Sequence, residues 1–413
     1  MADSTAAPTV AVIGAGIVGT CIAYTLARCG AHVTLIDRDE PGRGASFGNS
    51  GAISPGSVAP LAMPGVLKTV PGMMVDAASP LFLPPAYLPR ALPWLAAFVA
   101  SSTPERVAQS GIKLADLHRG AIAAHEAMTR EVGVPELFMR RGHLHLYPDA
   151  AALAKDAGGW RMRREHGYDF THLDRAGILD LEPGVGARYQ VGVFVADHAT
   201  ILHPFRYVQA IARAFATQGG EVVRADVRAL APREGGWRLQ LAAGERSFDH
   251  AVVAGGAWSR ALLDPLGIYL KLETQRGYHV QFTGGGEAVS RTVILADRKV
   301  FVTPMEEGLR VGGTVEIAGL TRAPDMRRAA LLERFARETF AGLAQRLATP
   351  WMGHRPCMPD SVPVVGPAPG LHGLWLAVGH GHLGLTDSIN TGARIAGRLL
   401  GTAYETVPMH PAG

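Results

Sequence analysis

The sequence predicts a mixed fold: an α/β unit on a parallel sheet, interleaved with an α+β unit built on an antiparallel sheet. Three patterns predict it. The N-terminal stretch reads as strand, glycine turn, helix, strand. The same alternation returns near 204–263 and again after 350. Between these stretches, residues 277–314 carry short apolar runs separated by turn residues, as hairpins do.

Residues 9–13 (TVAVI) are continuously apolar, as in a strand covered on both faces. A glycine turn follows, then a helix over 17–28 with Gly30 as its stop signal. Residues 32–36 form a second buried strand ending at Asp37. Residues 41–103 are rich in Gly, Pro, Ala and Ser and read as mostly irregular. Their most apolar part, 81–100, holds Pro84, Pro85, Pro89, Pro93 and Arg90. These break the run of about 20 apolar residues that a membrane-spanning helix needs. A buried interdomain loop and a segment lying on a membrane surface both stay open.

Thr103-Pro104-Glu105 opens a long helix to 131, with a capping Thr, Pro at the first position and an acid in the first turn. Strands follow at 142–147 and 191–196, a helix at 204–218, and strands at 221–224, 238–241 and 249–254. Residues 277–283, 293–296, 300–304 and 309–314 make the antiparallel sheet. A helix at 325–340, strands at 362–365 and 374–378, and a helix at 386–400 close the chain. The expected division is a discontinuous nucleotide-binding domain from 1–60, 200–270 and 350–413, with a substrate domain from 61–199 and 271–349.

At 413 residues the chain is long for one core, and 47% hydrophobic content supplies a large apolar interior. Lys and Arg exceed Asp and Glu by 40 − 36 = +4, with no basic block of the kind that binds nucleic acid. Cys21 and Cys29 share a helix about 12 Å apart, too far for a disulfide, and Cys357 stands alone. No Cys or His cluster has metal spacing, so no metal is expected. Residues 1–10 lack a basic stretch followed by an apolar one, so no signal peptide is expected. A reducing, cytoplasmic setting fits, with contact at the inner face of the cell membrane left open.

Gly14-Ala15-Gly16-Ile17-Val18-Gly19 matches G-x-G-x-x-G between a strand and a helix. The first glycine allows the tight turn, the second lets the backbone approach a pyrophosphate, and the third lets helix and strand pack closely. The helix N-terminus offers free N–H groups to the phosphates. Asp37, 23 positions after Gly14, ends the second strand, where a carboxylate accepts from ribose hydroxyls and repels a 2′-phosphate. This is a Rossmann-type signature; alone it does not separate FAD from NAD.

A series of further motifs resembles the bacterial D-amino-acid dehydrogenases, including D-hydroxyproline dehydrogenases, within the D-amino-acid oxidase superfamily of flavoproteins. In order they are 45–56 (ASFGNSGAISPG), 142–146 (GHLHL), 252–259 (VVAGGAWS), 275–278 (QRGY), 351–356 (WMGHRP) with 359–366 (PDSVPVVG), and 379–386 (GHGHLGLT). The resemblance spans nearly the whole chain. It implies FAD, a Rossmann-type FAD-binding domain, and oxidative deamination of a small D-amino acid by hydride transfer from the α-carbon. The imine then hydrolyses to a 2-oxo acid, or stays cyclic for a D-proline type. An N-substituted amino acid of the opine or sarcosine kind is the alternative substrate. A flavin-bearing subunit that passes electrons within a larger dehydrogenase is the alternative role. A quinone or an electron-transfer protein is the implied acceptor. His279, His382 and the Cys357-Met358 pair depart from the family pattern and bear on the substrate side chain.

The resemblance implies that Arg355 holds the substrate carboxylate, because a planar fork donates two bonds to two oxygens. Tyr278 is expected to donate its phenol to the same carboxylate or to pack as a strand aromatic, and His382 or His380 to lie beside flavin or the substrate amine. The expected FAD contacts are Gly14, Ala15, Gly16, Ile17, Val18, Gly19, Asp37 and Arg38 at the adenosine half. Ser46, Asn49, Ser50, Gly51, Val227, Gly255 and Gly256 follow, with Gly381, His382, Leu383, Gly384 and Thr386 at the isoalloxazine. The helix after that last loop points its positive end at a ring system that is anionic when reduced.

Overall fold

The computed structural model describes residues 7–65, 81–340 and 342–402. The leader reading at 1–6, part of the irregular stretch at 66–80 and the tail at 403–413 lie outside the described residues.

The first sheet has the strand order Glu221–Arg224, His32–Asp37, Thr9–Ile13, His250–Val253, Leu374–Val378, Val364–Pro367. All neighbours are parallel except the last pair. Alternate residues of Thr9–Ile13 serve two cores, as the period of two requires. Val10 and Val12 face helices Ile17–Arg28, Pro204–Thr217 and Gly384–Leu400. Ala11 and Ile13 face Leu230, Trp237 and Leu239 of a three-stranded antiparallel meander, Val227–Arg233, Gly236–Leu241 and Gly244–Phe248.

The second sheet has nine strands. Its path runs Ala348–Cys357, Glu273–Thr283, Gly308–Ile317, Val300–Met305, Thr292–Leu295, His143–Tyr147, Val191–Val195, Thr171–Leu173, with Leu81–Phe82 added at Gly308–Ile317. It is mixed rather than purely antiparallel: Thr292–Leu295 pairs with His143–Tyr147 in parallel, as does Leu81–Phe82 with its neighbour. One face buries Tyr278, Val280 and Phe282 against helix Arg327–Thr339. The other turns toward the first unit. Strand Ala348–Cys357 straddles the expected 349/350 boundary and lies wholly in this sheet. A small sheet of Ala52–Ile53, Ala199–Ile201 and Phe138–Met139 lies between the segments.

Two expectations change. The described part of the 41–103 stretch is mostly irregular, as expected, but its apolar end is not a loop: Leu88–Ala100 is a helix with Pro93 inside it. Proline there loses one backbone hydrogen bond. Burial of Ala91 and Trp94 offsets it, with the Trp94 indole bonded to the Cys357 carbonyl at 3.1 Å. The single helix expected over 104–131 is two, Pro104–His118 and Ala121–Glu131, parted at Gly120 with φ +71°. Among the described residues no helix is long and apolar enough to cross a membrane.

Candidate active site

The glycine turn is packed backbone to backbone. A Cβ on Gly14 would lie 2.4 Å from the Ala254 carbonyl oxygen, and one on Gly19 only 1.8 Å from the Gly14 oxygen. A Cβ on Gly16 would meet only the Ser46 hydroxyl, at 3.4 Å, so its outer side is open. Helix Ile17–Arg28 has Gly16 as N-cap and no side-chain cap from it; Ser46 Oγ takes the Ile17 N–H from another segment at 2.9 Å. Asp37 accepts from the Ala15 N–H at 2.6 Å, which ties the second strand to the turn. The exposed Arg38 guanidinium lies 4.1 Å from the centre of the Trp258 ring. Ala225 donates to the Asp37 carbonyl, which brings the start of the Val227 strand to the same end.

The second helix terminus belongs to Gly384–Leu400, whose N-cap Leu383 also supplies no side-chain cap. The two helices run side by side. A Cβ on Gly384 would sit 3.7 Å from Val18, and one on Gly392 would sit 3.0 Å from the Cys21 carbonyl. Both helices therefore advance in the same direction, and their electropositive N-termini lie at one end. Thr386 is buried and its hydroxyl accepts the Ser54 N–H at 3.1 Å, locking the 45–56 segment onto the helix start. In the preceding loop the two histidines part company. His380 is buried and bonded to the Thr391 hydroxyl at 3.0 Å, whereas the His382 side chain is exposed along the site. The surrounding protein and the Arg355 charge push the His382 pKa down to about 4.

The floor comes from the large sheet. Gly277 and Gly353 stand directly opposite each other on neighbouring strands. The Arg355 guanidinium lies over Gly277, where a Cβ would come within 2.1 Å of its Cζ. Trp351 lies over Gly353 in the same way, at 2.0 Å, and stacks on His279 with ring centres 4.9 Å apart. Arg355 donates Nη1 to the Thr314 carbonyl at 3.0 Å. Among the described residues it has no ion-pair partner, and burial lowers its pKa below the ordinary guanidinium value. Thr314 holds φ +53°, unusual for a branched residue, beside a register shift between Arg276 and Tyr278. The loop 47–50 covers this floor. His279 Nδ1 lies 3.0 Å from the Gly48 carbonyl, the buried Arg310 donates to the Phe47 and Asn49 carbonyls, and Ser50 Oγ sits over Gly312. Asn49 Oδ1 turns inward to the Gly51 N–H, so it shapes the loop.

These features fit FAD. Two adjacent helix N-termini suit the pyrophosphate and an anionic reduced ring, and glycines leave backbone open where a flat ring would lie. Gly256, at φ +57°, has nothing within 4 Å of its Cβ position, and Gly381 has only Cys357 Sγ, at 3.6 Å.

The comparisons with known proteins agree. The model of the FAD dependent oxidoreductase family, DAO, matches residues 9–398. The chain belongs to this family. It is 39% identical over 97% of its length to a D-amino-acid oxidase of Bradyrhizobium diazoefficiens, covering 97% of that protein. It is 35% identical over 94% of its length to D-amino acid dehydrogenase 2 of Ralstonia nicotianae, covering 95% of that protein. The fold superposes on glycine oxidase from Geobacillus kaustophilus with a TM-score of 0.73 at 19% identity, covering 98% and 100% of the two chains. It matches iminodiacetate oxidase from Chelativorans with 0.72 at 22% identity, covering 97% of each. This DAO-family protein is thus an FAD-dependent oxidoreductase with a Rossmann-type cofactor domain.

The structure brings Gly14, Ala15, Gly16, Ile17, Val18, Gly19, Asp37 and Ser46 to one end of the first sheet, with Gly255 and Gly256 following Ala254 beside Gly14. Gly381, His382, Leu383, Gly384 and Thr386 gather at the neighbouring helix start. Tyr278 is a correction. Residues 277 and 278 point to opposite faces of a strand, so with Arg355 over Gly277 the phenol is on the reverse face. There it donates to Glu316 and accepts the Asp325 N–H at 3.0 Å. Tyr278 therefore packs and bonds inside the second core and does not reach the site. Gly277, Gly353 and Thr314 are the residues the sequence reading missed. The glycines carried a signal, since a glycine inside a strand often marks a close approach; Thr314 carried none. Among the described residues no group of three His, Cys, Asp or Glu side chains stands ready for a metal.

Proposed function

We propose that this enzyme oxidises a small D-amino acid at the α-carbon, giving an imine that water converts to a 2-oxo acid and ammonia. The observation that carries it is Arg355, a guanidinium with no acidic partner among the described residues, laid flat on a glycine floor near two electropositive helix ends. A site of this shape takes a carboxylate in bidentate fashion. The Nη1 bond to Thr314 fixes the fork and leaves its remaining edge for the substrate. The exposed His382 supplies an imidazole at the mouth of the site for the proton leaving the substrate ammonium. The loop 47–50 and Trp351 shield the α-carbon from water. Bound FAD supplies the two-electron acceptor for the α-hydrogen as hydride. Among the described residues, those up to 60, 200–270 and beyond 357 hold FAD, and those of 61–199 and 271–357 hold the substrate. The relatives named for D-amino acids support this choice.

Anaerobic mixing with D-alanine, D-proline, cis-hydroxy-D-proline, their L-enantiomers and sarcosine tests it. Flavin absorbance should bleach with D-amino acids. Bleaching by sarcosine or iminodiacetate alone would transfer the reading to N-substituted substrates. For the acceptor, the exposed Leu92 on helix Leu88–Ala100 supports a quinone met at the cytoplasmic membrane surface. Turnover with a soluble quinone should exceed that with oxygen; stoichiometric peroxide at comparable rates would make the enzyme an oxidase.

A further inference from the structure

Behind the glycine loop lies a buried pair that this chemistry leaves unused. Asp387 sits in the first turn of Gly384–Leu400, its N–H bonded to the Leu383 carbonyl at 3.0 Å. Its carboxylate is fully buried, with one oxygen 3.1 Å from Nε2 of His118, which is also fully buried. His118 Nδ1 lies 2.9 Å from the Pro55 carbonyl. A carbonyl only accepts, so Nδ1 carries a hydrogen, and a buried nitrogen and carboxylate oxygen 3.1 Å apart need a second one between their charges. The pair is therefore neutral as a unit, whichever partner holds that proton. Burial pulls the His118 pKa down, but Asp387 and the Pro55 carbonyl together hold it above 6.5. The contact is a close ion pair rather than an aligned hydrogen bond: His118 Nε2 and both Asp387 oxygens are buried with no other polar partner among the described residues.

His382, at the open side of the glycine loop, feels both members of the pair; Arg394, His125 and His380 are committed elsewhere. Arg394 on the same helix pairs with Asp116 at the surface, 2.8 Å away. His125 spans the Tyr207 hydroxyl and the Leu385 carbonyl, and His380 bonds Thr391. An uncancelled Asp387 would be an anion at the very helix end that faces the FAD ring system. It would oppose the negative charge that arrives when the ring is reduced.

We propose that His118 is a positioning residue for the cofactor's electron affinity: by sharing a proton with Asp387 it cancels that carboxylate and keeps the paired helix N-termini electropositive toward FAD. The proposal rests on FAD occupying this cradle and not on the choice of substrate.

The test is an anaerobic redox titration of the FAD-loaded protein against reference dyes. Wild type is compared with His118→Gln, Asp387→Asn and the double variant. His118→Gln should make two-electron reduction about tenfold less favourable, a fall of about 30 mV for a two-electron couple. Asp387→Asn should stay close to wild type, and the double variant should return to it. An unchanged potential in His118→Gln, or a double variant as low as the single, would overturn the proposal. Where His118→Gln does not retain FAD, the same comparison is made on FAD affinity by quenching of flavin fluorescence. Recovery of affinity in the double variant supports charge cancellation, and equal loss in both overturns it. No substrate enters either measurement, so a failed amino-acid assay and a failed titration remain distinguishable.

Discussion

Gly277→Ala is the sharpest test of the carboxylate clamp, because the three atoms nearest the new methyl all belong to the fork it displaces. Its Cβ would stand 2.1 Å from Arg355 Cζ, 2.2 Å from Nη2 and 2.6 Å from Nε. Carbon contacts settle near about 3.5 Å, so the guanidinium must retreat by roughly 1.4 Å. A misplacement of about 1 Å at a positioning group can cost on the order of a hundredfold in rate. Counted as one lost charge-assisted bond at about 3 kcal/mol, the answer is similar. The variant should therefore lose about a hundredfold in kcat/KM for its best amino acid, mostly through KM, while keeping FAD. The assay is steady-state reduction of an artificial dye under nitrogen, with flavin content measured alongside. A variant with kcat/KM within about threefold of wild type would refute the placement of Arg355 over Gly277 in the working enzyme.

Three further outcomes are expected. Arg355→Ala should keep FAD and lose at least about a hundredfold in kcat/KM, with Arg355→Lys recovering part of it, since an ammonium cannot reproduce the fork; an amine lacking the carboxylate should be almost indifferent to both. Gly19→Ala should purify without flavin, because its Cβ would fall 1.8 Å from the Gly14 oxygen, whereas wild-type protein should release FAD and not FMN on denaturation. The fully buried His125 and His143 are held near pKa 4 by burial, so the unfolded chain binds protons that the folded one refuses between pH 6.5 and 4. Stability then falls as pH drops through that window, by about 3 kcal/mol for each histidine; an unchanged Tm from pH 7 to 4.5 would refute it.

The cofactor cradle was legible in the sequence because its constraints are local. A strand, a turn that only glycine can make and a helix start follow one another within a dozen residues, and the Asp37 strand pairs in register with the first. The substrate floor was not legible, because it depends on which strands become neighbours. Arg355 was readable from its motif, but the face it shares is set by the pairing of Gly277 with Gly353. Tyr278 looked suitable by type and lies one residue off, hence on the wrong face. Helix Leu88–Ala100 was hidden by its prolines, whose local cost is outweighed by burial of Trp94 against a strand more than two hundred residues away in sequence. His118 and Asp387 carried no pattern at all; 269 residues part them (387 − 118), and only the fold brings them together.

The order of the first sheet has a consequence for how the molecule is made. Val10 pairs with His250, and that strand pairs in turn with Leu374–Val378, near the end of the chain. During synthesis the opening strand emerges early, yet the neighbour on one of its edges is translated some 240 residues later (250 − 10). At about 5–20 residues per second, that edge waits on the order of ten seconds or more with its hydrogen-bonding groups unpaired. Contacts this distant along the chain also make folding slow. The helix Gly384–Leu400, which completes the cradle, leaves the ribosome later than every other part of it. Cofactor capture then waits for that helix, and a nascent chain stalled before residue 374 carries an apolar, strand-hungry surface for chaperones to guard.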